Sequence, residues 1–275
     1  MFTLIESIDD LAVLNEELLR KPYVGVDTEF RRTNKDNMRL ALLQVNDGEE
    51  TYLIDTLCIK EPEDRASFLF SNAVVKIFHS CKEDLEAIYS WTNKQMLNIF
   101  DTQLANSFLN GEYSISYQAL VQEKLDIILE KKETRSNWLR RPLSDDQLKY
   151  ASLDVEYLIF LYEEQREELI KAKKMVWLDQ DIRRLVKLTF NPQDFLLDLK
   201  RTLSKSEENK ILQDLNKVII TISEENEINE TLFFSKKAQK DLLRSTCLLG
   251  LDEACNQITP WRSKLIKKDL INLLN

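Results

Sequence analysis

Between residues 23 and 55 the chain passes through three short segments of strand character, YVGVDTEF, LALLQV and TYLID. Asn46-Asp47-Gly48-Glu49 separates the last two, and Asp-Gly between apolar runs is a hairpin signal. A fourth apolar stretch, AVVKIF at 73–78, reads as a further strand. Ser80-x-x-Glu83 behind it matches a capping box and predicts a helix to about Ser90. A second box, Ser144-x-x-Gln147, follows Pro142 and introduces DQLKYASLDVEYLIFLYEEQREELI, which no Gly or Pro interrupts and which predicts one long helix. Antiparallel strands followed by alternating helix and strand predict an α/β fold, a mixed sheet flanked by helices.

At 275 residues the chain exceeds the usual size of one domain. Only 4 Gly and 5 Pro favour long helices over a turn-dense sandwich. From about Asn191-Pro192 the pattern becomes helical, with polar breaks near Glu224 to Asn229 and at Pro260. The expected division is therefore 1–190 and 191–275, the second part a small all-α domain. Residues 191–275 hold 13 basic and 13 acidic side chains, so the net charge of −9 belongs to 1–190.

A single histidine, His79, excludes Cys2His2 fingers and the His-Glu-x-x-His zinc site. Cys58, Cys81, Cys247 and Cys255 are dispersed without a Cys-x-x-Cys pair, which disfavours a zinc knuckle or a disulfide scaffold. The longest apolar run, 157–162, is far below the roughly 20 residues of a membrane span, and the acidic start lacks a basic leader region. A soluble, cytoplasmic protein without a membrane partner is expected. Its acidity means that a polyanionic partner must be met by local basic patches or metal ions.

Asp27 and Glu29 stand two apart on the first strand segment, so both carboxylates leave one face. Neighbouring like charges raise at least one pKa, and a divalent cation relieves the repulsion. A solvated strand end is the plain alternative. Asp84 falls in the first turn of the predicted helix, where the macrodipole alone favours an anion. Tyr150 and Asp154 are one turn apart on the long helix and share a face.

In the contexts VDTEF, FHSCKEDLEA and YASLDVEYL, this combination resembles the DEDD superfamily of 3'-5' exonucleases in its tyrosine-bearing branch. LLQV, DGEETYLIDTL, DTQLANSF and KKETRSNWLRRPLSDDQLKYASLDVEYL are similar to the ribonuclease D family within it, over roughly residues 5 to 170. The predicted element order fits that family's ribonuclease H-like sheet. The resemblance implies metal ligation by Asp27, Glu29, Asp84 and Asp154, with two Mg2+ or Mn2+ ions activating water and stabilising the departing 3'-oxyanion. It further implies a 3'-5' exoribonuclease that releases 5'-mononucleotides from RNA with a free 3' end, tRNA precursors among the candidates. No obligate protein partner is evident. Tyr150, a phenol protonated at neutral pH, would orient the water rather than act as a strong base. A 3'-5' DNA exonuclease and a catalytically silent RNA-binding protein are the rival readings.

His79 lies five residues before Asp84 and is expected beside the site, or simply packed and hydrogen-bonded at a strand end. Gln44 matches a family glutamine and receives no role. Two basic patches flank the acids: 31–39, with Arg31 and Arg32, and 130–141, with Arg135, Trp138 and Arg141. Arginines there would position phosphates and Trp138 would stack a base, against the plainer reading of Trp138 as core. The last helices are similar to the helicase-and-ribonuclease-D C-terminal type of domain, and residues 191–275 leave room for one copy or a reduced form of it. Lys236, Lys237, Lys240 and Arg244 mark either a phosphate-facing ridge or a solvated helix face.

Overall fold

The strand segments of 23–55 form and occupy the middle of a six-stranded sheet. In a computed structural model that describes residues 2–34, 37–62, 64–129, 136–190 and 203–274, β2 (Tyr23–Asn34), β3 (Asn37–Asn46) and β4 (Thr51–Ile54) pair antiparallel in sequence. Gly48 supplies the positive φ of 92° that the β3–β4 turn needs. Asp47 Oδ1 closes that turn by accepting the Glu49 and Glu50 N–H groups at 2.9 and 2.8 Å.

Parallel strands complete the sheet, in the order β1-β4-β3-β2-β5-β6. β5 (Val75–Phe78) adds to β2, β6 (Ile99–Asp101) to β5, and β1 (Phe2–Ile5) to β4. β1 and β6 are too short, at four and three residues, to show an alternation in the sequence. Val24, Val26, Leu42, Leu43 and Val45 have no exposed surface, which places β2 and β3 in the core. Helices α1 (Ile8–Leu18), α2 (Lys82–Thr92), α3 (Thr102–Phe108), α4 (Tyr117–Leu125), α5 (Asp145–Glu156) and α6 (Leu158–Lys171) surround or continue from the sheet.

Two local predictions are corrected. Ser80 does not cap α2. Its φ is 66°, and the cap position is Cys81, whose own side chain makes no capping bond. The buried Asp101 carboxylate takes that role from across the sheet, accepting from Ser80 N at 3.1 Å and Cys81 N at 2.8 Å. Asp101 also receives Gln103 N and Leu104 N at the start of α3, so one anion serves two helix beginnings. The Ser144–Gln147 box does form, but the helix it opens is not continuous: α5 ends at Glu156, Tyr157 departs to φ −106° and ψ 2°, and α6 begins at Leu158.

Packing divides the chain into Met1–Leu104 with Ile115–Glu167, and Ala105–Ser114 with Glu168–Asn275. The division falls inside α6 rather than at 190/191, because α7 (Met175–Phe190) packs with the later helices; Asn191-Pro192 lies outside the described residues. The helical unit comprises α7, α8 (Lys205–Glu225), α9 (Glu230–Phe234), α10 (Lys236–Leu249), α11 (Leu251–Asn256) and α12 (Pro260–Leu274). Its core is aromatic: Trp177 stacks on Trp261 at 5.0 Å, and Phe108 and Phe233 pack against Trp261 at 5.4 and 5.7 Å. Arg262 lies 4.4 Å over the Trp261 ring and donates to Asp181 Oδ1 at 2.5 Å, joining α12 to α7. Among the described residues no helix is long and apolar enough to cross a membrane.

Candidate active site

Asp27 and Glu29 lie where β2 leaves the packed centre of the sheet. Gly25 shares their face, and a Cβ there would meet Leu158 Cβ at 3.0 Å and the Val155 carbonyl at 3.2 Å. That face therefore lies directly under the end of α5, which carries Tyr150 and Asp154. A register shift follows Glu29, so the strand bends immediately after the second acid. Carboxylate oxygens of Asp27, Glu29 and Asp154 come within 4.8 Å of one another. Asp84, in the first turn of α2, is not part of that set; it accepts the Thr28 hydroxyl at 2.5 Å.

The electrostatics follow from enclosing four acids together. Burial, followed by the charges of Asp84, Asp154 and Glu29, raises Asp27 well above the usual carboxylate range. Burial, followed by Asp154 and Asp84, pushes Glu29 up to about 9. Burial lifts Asp84 to about 7 against the lowering effect of the Thr28 bond, and Asp154 to about 7 against a hydrogen bond from Tyr150. Tyr150 is itself pushed far up by burial and by Asp154 and Glu29, which keeps its hydroxyl protonated as a donor. A half-buried, all-oxygen set in which Asp84, Asp154 and Glu29 add to burial in raising Asp27 fits hard divalent cations such as Mg2+ or Mn2+. Gln44 stands opposite Asp27 in register, fully buried, with neither amide atom hydrogen-bonded among the described residues. This leaves polar capacity beside the acids.

His79 sits behind the site. Its Nε2 lies 2.9 Å from the Ile115 carbonyl and its Nδ1 2.9 Å from the Thr102 hydroxyl. Burial lowers its pKa, and Nε2–H donates to the Ile115 carbonyl; the Thr102 hydroxyl lies between Nδ1 and the Phe78 carbonyl, the latter at 3.1 Å, with a single hydrogen to give to one of them.

The residues expected to grip substrate divide sharply. Trp138 is 5% exposed and packs with Ala41, Leu42, Leu53 and Ala151, with Tyr150 against it. Its plain reading as core is the one the structure bears out. Arg141 forms a double-ended bond to the buried Asp55 and also donates to the carbonyls of Trp138 and Ala41 at 2.7 and 2.8 Å. It latches the segment before α5 to the sheet. Arg32 is engaged by Glu86 at 2.5 Å and Glu83 at 3.5 Å. Arg31 is exposed and stands opposite exposed Arg39 across β2 and β3. Arg135 lies outside the described residues. Thr28 and Asp101 escaped the sequence reading: Thr28 points to the opposite face from its neighbours by strand alternation, and Asp101 acts on residues 20 positions away.

A sequence model of the 3'-5' exonuclease family matches residues 2–170. Ribonuclease D of Pseudomonas paraeruginosa is 39% identical over 180 residues, covering 65% of this chain and 48% of its own length. Ribonuclease D of Haemophilus influenzae is 40% identical over 153 residues, covering 56% and 38%. The chain thus spans about half the length, or less, of these curated relatives. Among solved structures, Escherichia coli RNase D, an exoribonuclease involved in structured RNA processing, shares the fold with a TM-score of 0.66 at 24% identity, over 100% of this chain and 74% of that one. With the family match running through the whole sheet and on to α6, the chain belongs to the 3'-5' exonuclease family.

Proposed function

We propose that this chain is a metal-dependent 3'-5' exoribonuclease, shortening RNA from a free 3' end and releasing 5'-mononucleotides, with structured RNA such as tRNA precursors as its substrate. The reading is carried by the convergence of Asp27, Glu29 and Asp154 within 4.8 Å, in a segment that matches the 3'-5' exonuclease family. Asp84 completes the acid set from α2, and the four would hold two Mg2+ or Mn2+ ions. Bound there, the ions supply an acidified water and stabilise the charge that develops on the leaving oxygen.

The chain's own groups do the rest. Tyr150, held protonated and donating to Asp154, orients the attacking water through its hydroxyl oxygen without acting as a strong base. Thr28 fixes one oxygen of Asp84 and so limits the directions in which that carboxylate can serve. The exposed Arg31 and Arg39 pair, two like charges placed side by side in spite of their repulsion, suits the phosphates of a strand leading away from the acids.

The test is a 5'-labelled RNA with a short single-stranded 3' tail, incubated with protein under Mg2+, Mn2+ or EDTA, beside a DNA of the same sequence. A ladder shortening from the 3' end, absent with EDTA and with Asp27→Asn, is the expected result. Degradation of DNA alone would replace the substrate. Binding without cleavage under either metal would overturn the assignment as an enzyme.

A further inference from the structure

The break between α5 and α6 has an identifiable cause. In an unbroken α-helix the Tyr157 N–H would donate to the Leu153 carbonyl. Here the Tyr117 hydroxyl occupies that place: it accepts from Tyr157 N at 3.0 Å and donates to Leu153 O at 3.3 Å. A hydroxyl inserted into the i to i−4 ladder is a recognised origin of sharp helix bends. The inserted oxygen comes from α4, 40 positions away in the chain.

Tyr117 is itself tightly held. It is 7% exposed, begins α4 directly after the Ser116 cap, and receives the edge contact of His79 at 5.7 Å. The carbonyl of Ile115, two residues earlier, takes hydrogen bonds from both His79 and Gln103 at 2.9 Å. The Tyr117 phenol is also close enough to Asp154 and Asp27 for both charges to act on it, after burial, in raising its pKa. On the other side of the junction, Gly25 seats the Val155 carbonyl and Leu158 close to β2, where a Cβ would force them back by a few tenths of an ångström.

We propose that Tyr117 is a positioning residue for the metal site. Its hydroxyl, together with the close seat provided by Gly25, fixes the bent turn 153–157 and thereby aims Asp154 at Asp27 and Glu29. Asp154 lies inside the bridged turn, so a change in that turn's backbone moves the carboxylate relative to two acids fixed on a strand. Without the bridge, Tyr157 N–H and Leu153 O re-pair directly and the turn straightens. The inference rests on the reading of these acids as metal ligands.

The experiment is calorimetric titration of Mn2+ into metal-free full-length wild type, Tyr117→Phe, Gly25→Ala and Asp154→Asn, with thermal unfolding of each. The expected result is an affinity about tenfold weaker for Tyr117→Phe, with its unfolding in EDTA close to wild type and kcat recovering at high metal while the metal requirement rises. Gly25→Ala, which leaves the hydroxyl in place, shifts in the same direction. Wild-type affinity in a folded Tyr117→Phe protein overturns the inference. If Tyr117→Phe does not fold, unchanged affinity in Gly25→Ala overturns it instead. A wild type that takes up no Mn2+ removes the metal-site reading and this inference with it, a pattern distinct from loss in the variants alone.

Discussion

The Thr28 hydroxyl and the Asp84 carboxylate, 56 positions apart, meet at 2.5 Å and join the centre of the sheet to the first turn of α2. Thr28 stands between Asp27 and Glu29, so the strand that carries two acids also restrains a third. A hydrogen bond to a charged group contributes about 1.5–3 kcal/mol. Thr28→Val, equal in shape, is expected to raise the metal concentration for half-maximal activity about tenfold, on the order of 1.4 kcal/mol. Metal dependence of the initial rate measures this; an unchanged requirement would show that α2 alone fixes Asp84.

The metal-free protein should lose stability as pH rises. Glu29 titrates at about 9 and Asp84 and Asp154 at about 7 when folded, all above their unfolded values. The folded state thus binds more protons through this window, and linkage makes its stability fall as pH increases. His79, whose pKa burial lowers, acts with the opposite sign, but only below about 6.5, its unfolded value. Burial lowers Lys76 to about 7, which opposes the acids above that pH. Unfolding temperatures in EDTA are therefore expected to drop between about pH 5 and 7, where the carboxyls together outweigh His79, and Mg2+ or Mn2+ to remove the slope by replacing the protons. A rising temperature over that range in EDTA would contradict the account.

Arg141 belongs to stability rather than to RNA. Burial would raise the Asp55 carboxyl, yet Arg141, with the Leu57 N–H and Cys58, holds Asp55 below its ordinary value. The Asp55 side chain is 2% exposed, so removing its partner strands a buried charge. Arg141→Ala is expected to cost about 3–5 kcal/mol in urea unfolding. Lysine cannot reproduce the two-pronged bond and should recover only part of that loss.

Arg31 and Arg39 should behave in the reverse manner. Arg31→Gln with Arg39→Gln is expected to leave unfolding nearly unchanged and to weaken RNA binding. Each lost phosphate contact reduces the slope of log affinity against log salt by roughly 0.7 on a single strand. Binding isotherms at several salt concentrations decide; an unaltered slope would remove the pair from the RNA path.

What the sequence disclosed and what it withheld follow from distance along the chain. The β2, β3 and β4 segments, the Asp47-Gly48 turn and the Ser144–Gln147 box are local patterns, and all were legible. Ser80 carries the same kind of pattern, but Asp101 reaches its N–H groups from β6 and supersedes it. The break at Tyr157 left no trace in its own helix, because the group that makes it is Tyr117. Asp27, Glu29 and Asp154 were found through a motif, and their meeting within 4.8 Å needed the bend after Glu29 and the close seat at Gly25. Arg141 was read as a substrate contact from its basic company, and Trp138 either so or as core; their partners Leu42, Leu53 and Asp55 lie 85 to 96 residues earlier, on β3, on β4 and just beyond it.

β2 is paired on both edges, antiparallel to β3 and parallel to β5. A one-residue slip would turn Asp27 and Glu29 to the wrong side of the sheet, and pairing on both edges forbids it. The outermost strands, β1 and β6, carry none of the four acids. Chain can therefore be added or shortened at β1 without moving the acids, whereas a single deletion within 23–29 would reverse the face on which they stand. For anyone recombining or extending this scaffold, the β1 edge is the permissive border and the middle of the sheet is the fixed datum.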